Sequence, residues 1–400
     1  MQGTEQGPPP AYPARTAFLT AAAVLSILFL RRPESFLHPQ LYAEDGGVFF
    51  LGACRDPWGS ILVPYAGYLH LGARLVAALC SWLNPLWIPA AYFSVSVGAV
   101  LALTLALFSQ RVGLPHPGLF ALAIVLVPHN GEVFDNLTNV QWIGAIGLIV
   151  LLLARDPERP SQWLLDFACA AVISLTGVFS VLFAPLFAAR AAIRRTFASI
   201  GIACFVLAGA AIQVREILHF PLPATAGEKT AYLALATFGQ RVSMSLLSPP
   251  SAPDAATLLT RALAGSAGLA LLVVLGLGIG PDRLRRMVFA ASLLLLAAAA
   301  IYRFRGGILE LASVHNGDRY FFGPKVFFLW ILLLHLRRAS ALRWLSGALL
   351  AAILLNCCLS FRFERWKDYD WPYWVGRMAS EDRVVVPINP PGYIFIYERP

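Results

Sequence analysis

Residues Ala262 to Ile279 read ALAGSAGLALLVVLGLGI, an apolar run with no charged side chain. A strand of a membrane barrel would alternate with period two, and this run does not. In hydrocarbon such a run is satisfied only as a helix, which bonds every backbone group within itself. The same reading extends along the chain. Of its 400 residues 58% are hydrophobic and 13% charged, with mean hydropathy +0.67. A soluble globular protein carries about 25% charged residues, so roughly half the usual charge is missing. The chain reads as an all-α, polytopic transmembrane helical bundle.

The apolar blocks place about eleven spans: 16–30, 86–108, 114–128, 140–154, 163–176, 177–189, 196–214, 256–279, 287–302, 324–336 and 342–359. Segments 67–82 and 231–247 are apolar but shorter or interrupted, and read as interfacial or re-entrant helices. The first span leads into Arg31-Arg32-Pro33 with no small-residue cleavage pattern, so it reads as a retained anchor. Three regions result: a disordered cytoplasmic tail at 1–15, a transmembrane domain at 16–360 with a first outer loop at 31–85, and a small extracytoplasmic tail at 361–400.

The net charge of +9 raises the question of nucleic acid. Its arginines, however, sit in short loops between apolar blocks, which is a topology signal and argues against such a partner. With the N-terminus inside, the cytoplasmic loops hold Arg111; Arg155 and Arg159; Arg190, Arg194 and Arg195; Arg283, Arg285 and Arg286; and Arg337, Arg338 and Arg343. Arg31-Arg32 goes against the rule. Only Cys54 of the six cysteines falls in a loop, so no disulfide framework is expected. The expected location is a multi-pass protein of a bacterial inner membrane.

"ISLTGVFSVLFAP" (173–185) interrupts a long apolar stretch with Thr176, Gly177 and Pro185. A helical hairpin turning near Gly177 accounts for it. The alternative is one kinked helix, which would invert every later loop.

Loops on the other face differ in chemistry. They hold "YAEDGGVFF" (42–50), "PYAGYLH" (64–70), "PHNGEVFDNLTNVQW" (128–142) and "YRFRGGILELASVHNGDRYFFGPK" (302–325). Acids, His, Asn and aromatics gather there. Carboxylates beside membrane segments are costly to bury and mark either function or a solvated edge. For Glu44-Asp45 the bland alternative is a loop in which one acid caps the next helix. The flanking Tyr42, Phe49, Phe50, Trp58, Tyr65 and Tyr68 suit a loop on the bilayer surface, or one that stacks on a sugar ring. For "HNGDRYFFGPK" (315–325) it is an interfacial turn whose Arg and Lys snorkel to headgroups.

An acidic pair in the first outer loop, soon after the first span, resembles membrane glycosyltransferases of the GT-C superfamily. That resemblance covers the layout and the loop 41–70; that loop has no DxD, and the chain has no large soluble C-terminal domain. It implies a polyprenyl-phosphate sugar donor, membrane lipids around it, and a glycan, lipid or protein acceptor at the extracytoplasmic face. Asp45 would then be the catalytic base, with Glu44 second. The departing phosphate would meet Arg303, Arg305, His315, Arg319 and Lys325, with Asp318 orienting them. His129, Asn130, Glu132 and Asp135, with Asn136 and Asn139, would bind sugar hydroxyls, or a divalent cation (Mg or Mn) together with the acidic pair; the spacing fits no standard metal loop. Tyr65 and His70 would complete the substrate site. The tail "RVVVPINPPGYIFIYERP" (383–400) reads as two short strands around a Pro-Gly turn. The rival reading is a transporter or flippase of a lipid-linked saccharide. That class wants ionisable residues in mid-span and paired broken helices, whereas the span interiors read as almost free of charge.

Overall fold

Each apolar block folds as a helix in the computed structural model, which describes residues 12–220, 230–249, 256–304, 317–337 and 341–399. Among the described residues six helices are long and apolar enough to cross a membrane: Ala14–Arg31, Pro85–Leu107, Phe197–His219, Leu258–Leu277, Arg283–Arg303 and Ala341–Leu359. The other five expected spans have shorter helices at their positions: Pro117–Leu126, Val140–Leu153, Pro160–Ser174, Phe179–Arg194 and Arg319–His335. Pro117–Leu126 has 10 residues, a rise of roughly 15 Å against a hydrocarbon core of roughly 30 Å.

Burial explains the difference. Arg319–His335 buries nearly all its side chains, and Trp330 donates its indole N–H to the Phe120 carbonyl at 3.0 Å. Val140–Leu153 is buried almost as completely. Such helices are apolar all round because other helices surround them. The longer Ala14–Arg31 and Ala341–Leu359 instead expose Phe18, Leu19, Trp344 and Leu355, as a lipid-facing helix does. Composition alone does not separate the two cases.

The hairpin at Gly177 is present. Pro160–Ser174 and Phe179–Arg194 are separated by a turn in which Gly177 has φ +88°, and a Cβ there would lie 2.5 Å from Gln141 Oε1. Arg190 and Arg194, at the far end of the second helix, reach Asp156 just ahead of the first helix, at 3.1 and 3.2 Å. The two helices therefore run antiparallel. Arg111 pairs with Asp166 and donates to the Arg155 carbonyl at 2.9 Å, while Arg285 donates to Val112 O at 3.3 Å. The arginine-bearing loops thus gather on one face. The hairpin turn lies on the other, where Gly177 N donates to Leu69 O and Leu71 N to Leu175 O. Gln213 closes the join, donating to Leu69 O and Gly177 O.

The interrupted segment 231–247 is one helix broken by a π-helical turn, Gly239–Met244. Segment 67–82 holds the ten-residue helix Leu71–Cys80. At the C-terminus the two expected strands form an antiparallel pair, β1 (Arg383–Ile388) and β2 (Tyr393–Glu398), preceded by the helix Trp371–Ser380. A small sheet is thus added to the helical bundle. It is not a separate unit: Val384, Val386, Ile388 and Phe395 share a core with Leu41, Phe49, Phe50 and Trp371. Gly46 lies so close to Phe395 that a Cβ would meet its ring at 2.6 Å. Buried Asn389 fastens the pair, its N–H donating to Leu41 O at 3.2 Å and its side chain bonding the Lys367 backbone.

Candidate functional site

The loop 128–139 is the hub on which the acidic, cationic and C-terminal segments meet. Its own shape comes from side chains that satisfy backbone groups in place of a helix or ladder. Asn130 Oδ1 accepts from Glu132 N at 2.9 Å, and Asn136 Nδ2 donates to Glu132 O and Phe134 O at 2.9 and 2.7 Å. Asn139 Nδ2 donates to Glu132 O at 2.8 Å. The density of asparagine is thus accounted for by loop bracing, and Asn136, which opens an Asn-Leu-Thr glycosylation sequon, is buried.

Asp45 is joined to this hub. Its carboxylate accepts from Thr138 Oγ1 at 2.6 Å and Thr138 N at 2.7 Å, and from Leu137 N and Tyr42 N at 3.3 Å each. Burial pushes its pKa up to about 7, against the opposing pull of those donors. The residue expected as the catalytic base is therefore shut away from solvent, with both oxygens engaged. It clamps two loops together. Glu44, next in the chain, is half-buried and accepts from the Tyr65 hydroxyl at 3.3 Å. The geometry ranks the two acids the other way round.

Arg31 and Arg32, which break the charge rule, are fully buried staples. Arg31 donates to Phe361 O at 2.9 Å and Val125 O at 2.6 Å, with its guanidinium 3.9 Å from the centre of the Phe363 ring. Arg32 pairs with Asp135 at 3.0 Å, donates to Glu364 O at 3.0 Å and lies over Trp366. Charges neutralised inside the protein carry no topology signal. Asp135, expected at the substrate, is committed to this pair.

A second buried network joins Asp318, Lys325, His129 and Asn130. Lys325 Nζ lies 2.8 Å from Asp318 Oδ1 and 3.1 Å from Pro128 O; Asn130 N donates to Asp318 Oδ2 at 3.0 Å. His129 Nδ1 accepts from Gly131 N at 2.9 Å, which leaves Nε2 facing Asp318 Oδ2 at 3.6 Å. Burial drives the His129 pKa down to about 3. Burial alone would raise Asp318, but Lys325, His129 and Arg241 together hold it below the usual carboxylate range. Arg241, in the π-helical turn, is buried over the Phe321 ring. The interior is thus less free of charge than the sequence reading has it. Lys325 and Asp318 are locked to each other, and neither opens to solvent.

What remains open is Arg319 and its surroundings. It forms an ion pair with Glu132, keeps a third of its side chain exposed, and lies over the Tyr320 ring at 4.9 Å. The charges of Glu44 and Arg319 both act on the Tyr42 and Tyr65 phenols. Burial, with Glu44 beside it, pushes Tyr65 up to about 12. Arg303 is exposed at the rim, next to Phe304, whose ring meets Tyr320 at 5.0 Å. His70 is buried against Tyr68 (ring centres 4.5 Å apart), and desolvation lowers its pKa to about 4. It is a neutral wall of the site. Arg305 and His315 lie outside the described residues.

A divalent cation does not fit the residues proposed for it. Among the described residues no group of three or more His, Cys, Asp or Glu side chains is placed to hold a metal. Asp45 is held by Thr138, Glu132 by Arg319, Asp135 by Arg32 and Asp318 by Lys325. Sequence reasoning missed Thr138 and Tyr320; neither sits in a pattern that points across the chain to its partner.

No family model, curated protein or solved structure matches this chain. The fold by itself defines the class: a helical membrane protein of the multi-pass kind, with its acidic and aromatic loops gathered on one face.

Proposed function

We propose that this chain is an integral membrane glycosyltransferase that moves a sugar from a polyprenyl-phosphate donor to a glycan, lipid or protein acceptor at the extracytoplasmic face. The supporting observation is that Glu44, half-buried and accepting from the Tyr65 hydroxyl at 3.3 Å, and Arg319, paired with Glu132 over the Tyr320 ring, both keep open surface among the acid-and-aromatic loops. A carboxylate and a guanidinium among those loops, beside apolar helices, are the two groups that the transfer asks for. Glu44 takes the proton of the acceptor hydroxyl as its oxygen bonds to the anomeric carbon. The bond from that carbon to the phosphate oxygen breaks, and Arg319, held by Glu132, stabilises the departing phosphate. Arg303 waits at the rim, and the exposed faces of Tyr65 and Tyr320 offer stacking surfaces to a sugar. Asp45 keeps the loop carrying Glu44 in place. Residues 16–360 form the catalytic body, in a bacterial inner membrane, and 361–400 brace it.

A flippase of a lipid-linked saccharide is the second reading. The buried cluster of Asp318, Lys325 and Arg241 inside the bundle favours it, because intramembrane charge marks translocation paths. Liposomes holding the purified chain and radiolabelled polyprenyl-phosphate sugars separate the two. Transfer of label to an added acceptor by wild type, absent in Glu44→Gln and Arg319→Ala, supports the enzyme. Label crossing the bilayer without transfer, in wild type and both variants alike, removes it.

A further inference from the structure

We propose that residues 57–87 form an apron of the first loop that lies within the lipid headgroup and acyl boundary, holding the Glu44–Tyr65 site at the depth of the membrane surface. The inference stands whether or not the chain transfers sugar.

The first observation is exposure. This segment presents Trp58, Leu62, Leu79, Trp82, Leu86 and Trp87 to its surroundings, with Trp82 80% and Trp87 65% exposed. An apolar surface of this extent is covered by something in the native state. The second is charge. Between Asp56 and Arg111 the only Asp, Glu, Lys or Arg is Arg74, and Arg74 is buried, its guanidinium near Val48 O and the Phe49 ring. A protein-docking face carries a polar rim, whereas the bilayer boundary favours tryptophan without charge.

The third observation separates lipid from the other occupants. Backbone groups away from water must be satisfied internally, and here many are. Ser60 N donates to Asp56 O, Val63 N to Ser60 O, and Tyr65 and Tyr68 exchange N–H···O bonds at 3.0 and 3.2 Å. Gly72 N donates to Thr176 Oγ1 at 2.8 Å, Leu83 N to Cys80 O at 2.9 Å, and Leu86 N to Asn84 Oδ1 at 3.0 Å. The fourth is continuity. The segment runs without a break into Pro85–Leu107, one of the six helices able to cross a membrane. Its own helix, Leu71–Cys80, has too few residues to cross; it buries Ala73, Arg74, Ala77 and Ala78 and leaves Leu79 exposed, as an interfacial helix does.

Nitroxide labels on single cysteines, in the full-length chain in nanodiscs, test this. Positions 62 and 82 are expected to be more accessible to oxygen than to a water-soluble nickel complex. Positions 56 and 382, on charged exposed residues, are expected to show the reverse. Brominated lipid provides a second measurement without cysteine replacement: it is expected to quench tryptophan fluorescence of the native protein, with part of that quenching lost in W82F/W87F. Nickel-dominated accessibility at 62 and 82 overturns the proposal. So does quenching unchanged in W82F/W87F, or protection of these positions only in native membranes, which would point to a protein partner or a second copy.

Discussion

The Thr138 hydroxyl donates to the Asp45 carboxylate at 2.6 Å, joining two loops 93 residues apart in sequence. An acid in this setting is an acceptor for fixed donors, whereas its neighbour Glu44 is half-buried and bonded to the Tyr65 hydroxyl. Asp45→Asn replaces one acceptor oxygen by an amide whose hydrogens face the donors Thr138, Leu137 N and Tyr42 N. It is expected to destabilise the protein by about 1–3 kcal/mol, read as a lower melting temperature in detergent. Glu44→Gln is expected to leave melting unchanged while abolishing transfer. Equal melting of the two variants would contradict the assignment.

The Arg32–Asp135 pair is expected to hold the C-terminal segment. Arg32→Ala leaves Asp135 buried without its cation, at a cost of about 3–5 kcal/mol, and frees the Glu364 carbonyl and the Trp366 face. Limited proteolysis should then cut within 361–370 faster than in wild type. Replacing both members, as in Arg32→Met with Asp135→Asn, whose side chain suits the φ of +70° at that position, should recover part of the melting temperature.

His129 gives a pH dependence of defined sign. Folded, its pKa is about 3; unfolded, the ring titrates near 6.5. As pH falls below 6.5 the unfolded state binds a proton that the folded ring does not, so stability falls. Asp45 acts in the opposite direction, because the folded carboxyl keeps its proton up to about 7 while the unfolded one loses it near 3.8. Both chains retain Asp45, so its contribution cancels when wild type is compared with His129→Gln, and the difference reports His129 together with its effect on Asp318. Urea titrations between pH 4 and 7 should show a smaller loss on acidification in the variant; an identical slope would exclude the assignment.

Gly177 tests the hairpin. With φ +88° and Gln141 Oε1 at 2.5 Å from any Cβ, Gly177→Ala should cost about 1–2 kcal/mol in backbone strain alone, plus the displacement of Gln141. The expected reading is a lower melting temperature, with an unaltered far-UV spectrum below the transition.

Helicity, membrane class and the division into an arginine face and an acid-and-aromatic face follow from composition and spacing. So do the turn at Gly177 and the strands around Pro391-Gly392, because a helix, a turn and a hairpin each depend on residues close in the chain. The span count did not follow. The core helix Arg319–His335 and the lipid-exposed Ala341–Leu359 are equally apolar, and only packing separates them. The division of labour between Glu44 and Asp45 did not follow either, nor did the silent charges of Arg31 and Arg32. Their partners lie far away in sequence, and burial against a distant donor leaves no periodic trace. Local propensity is written residue by residue; which carboxylate meets water is decided only when the loops close on one another.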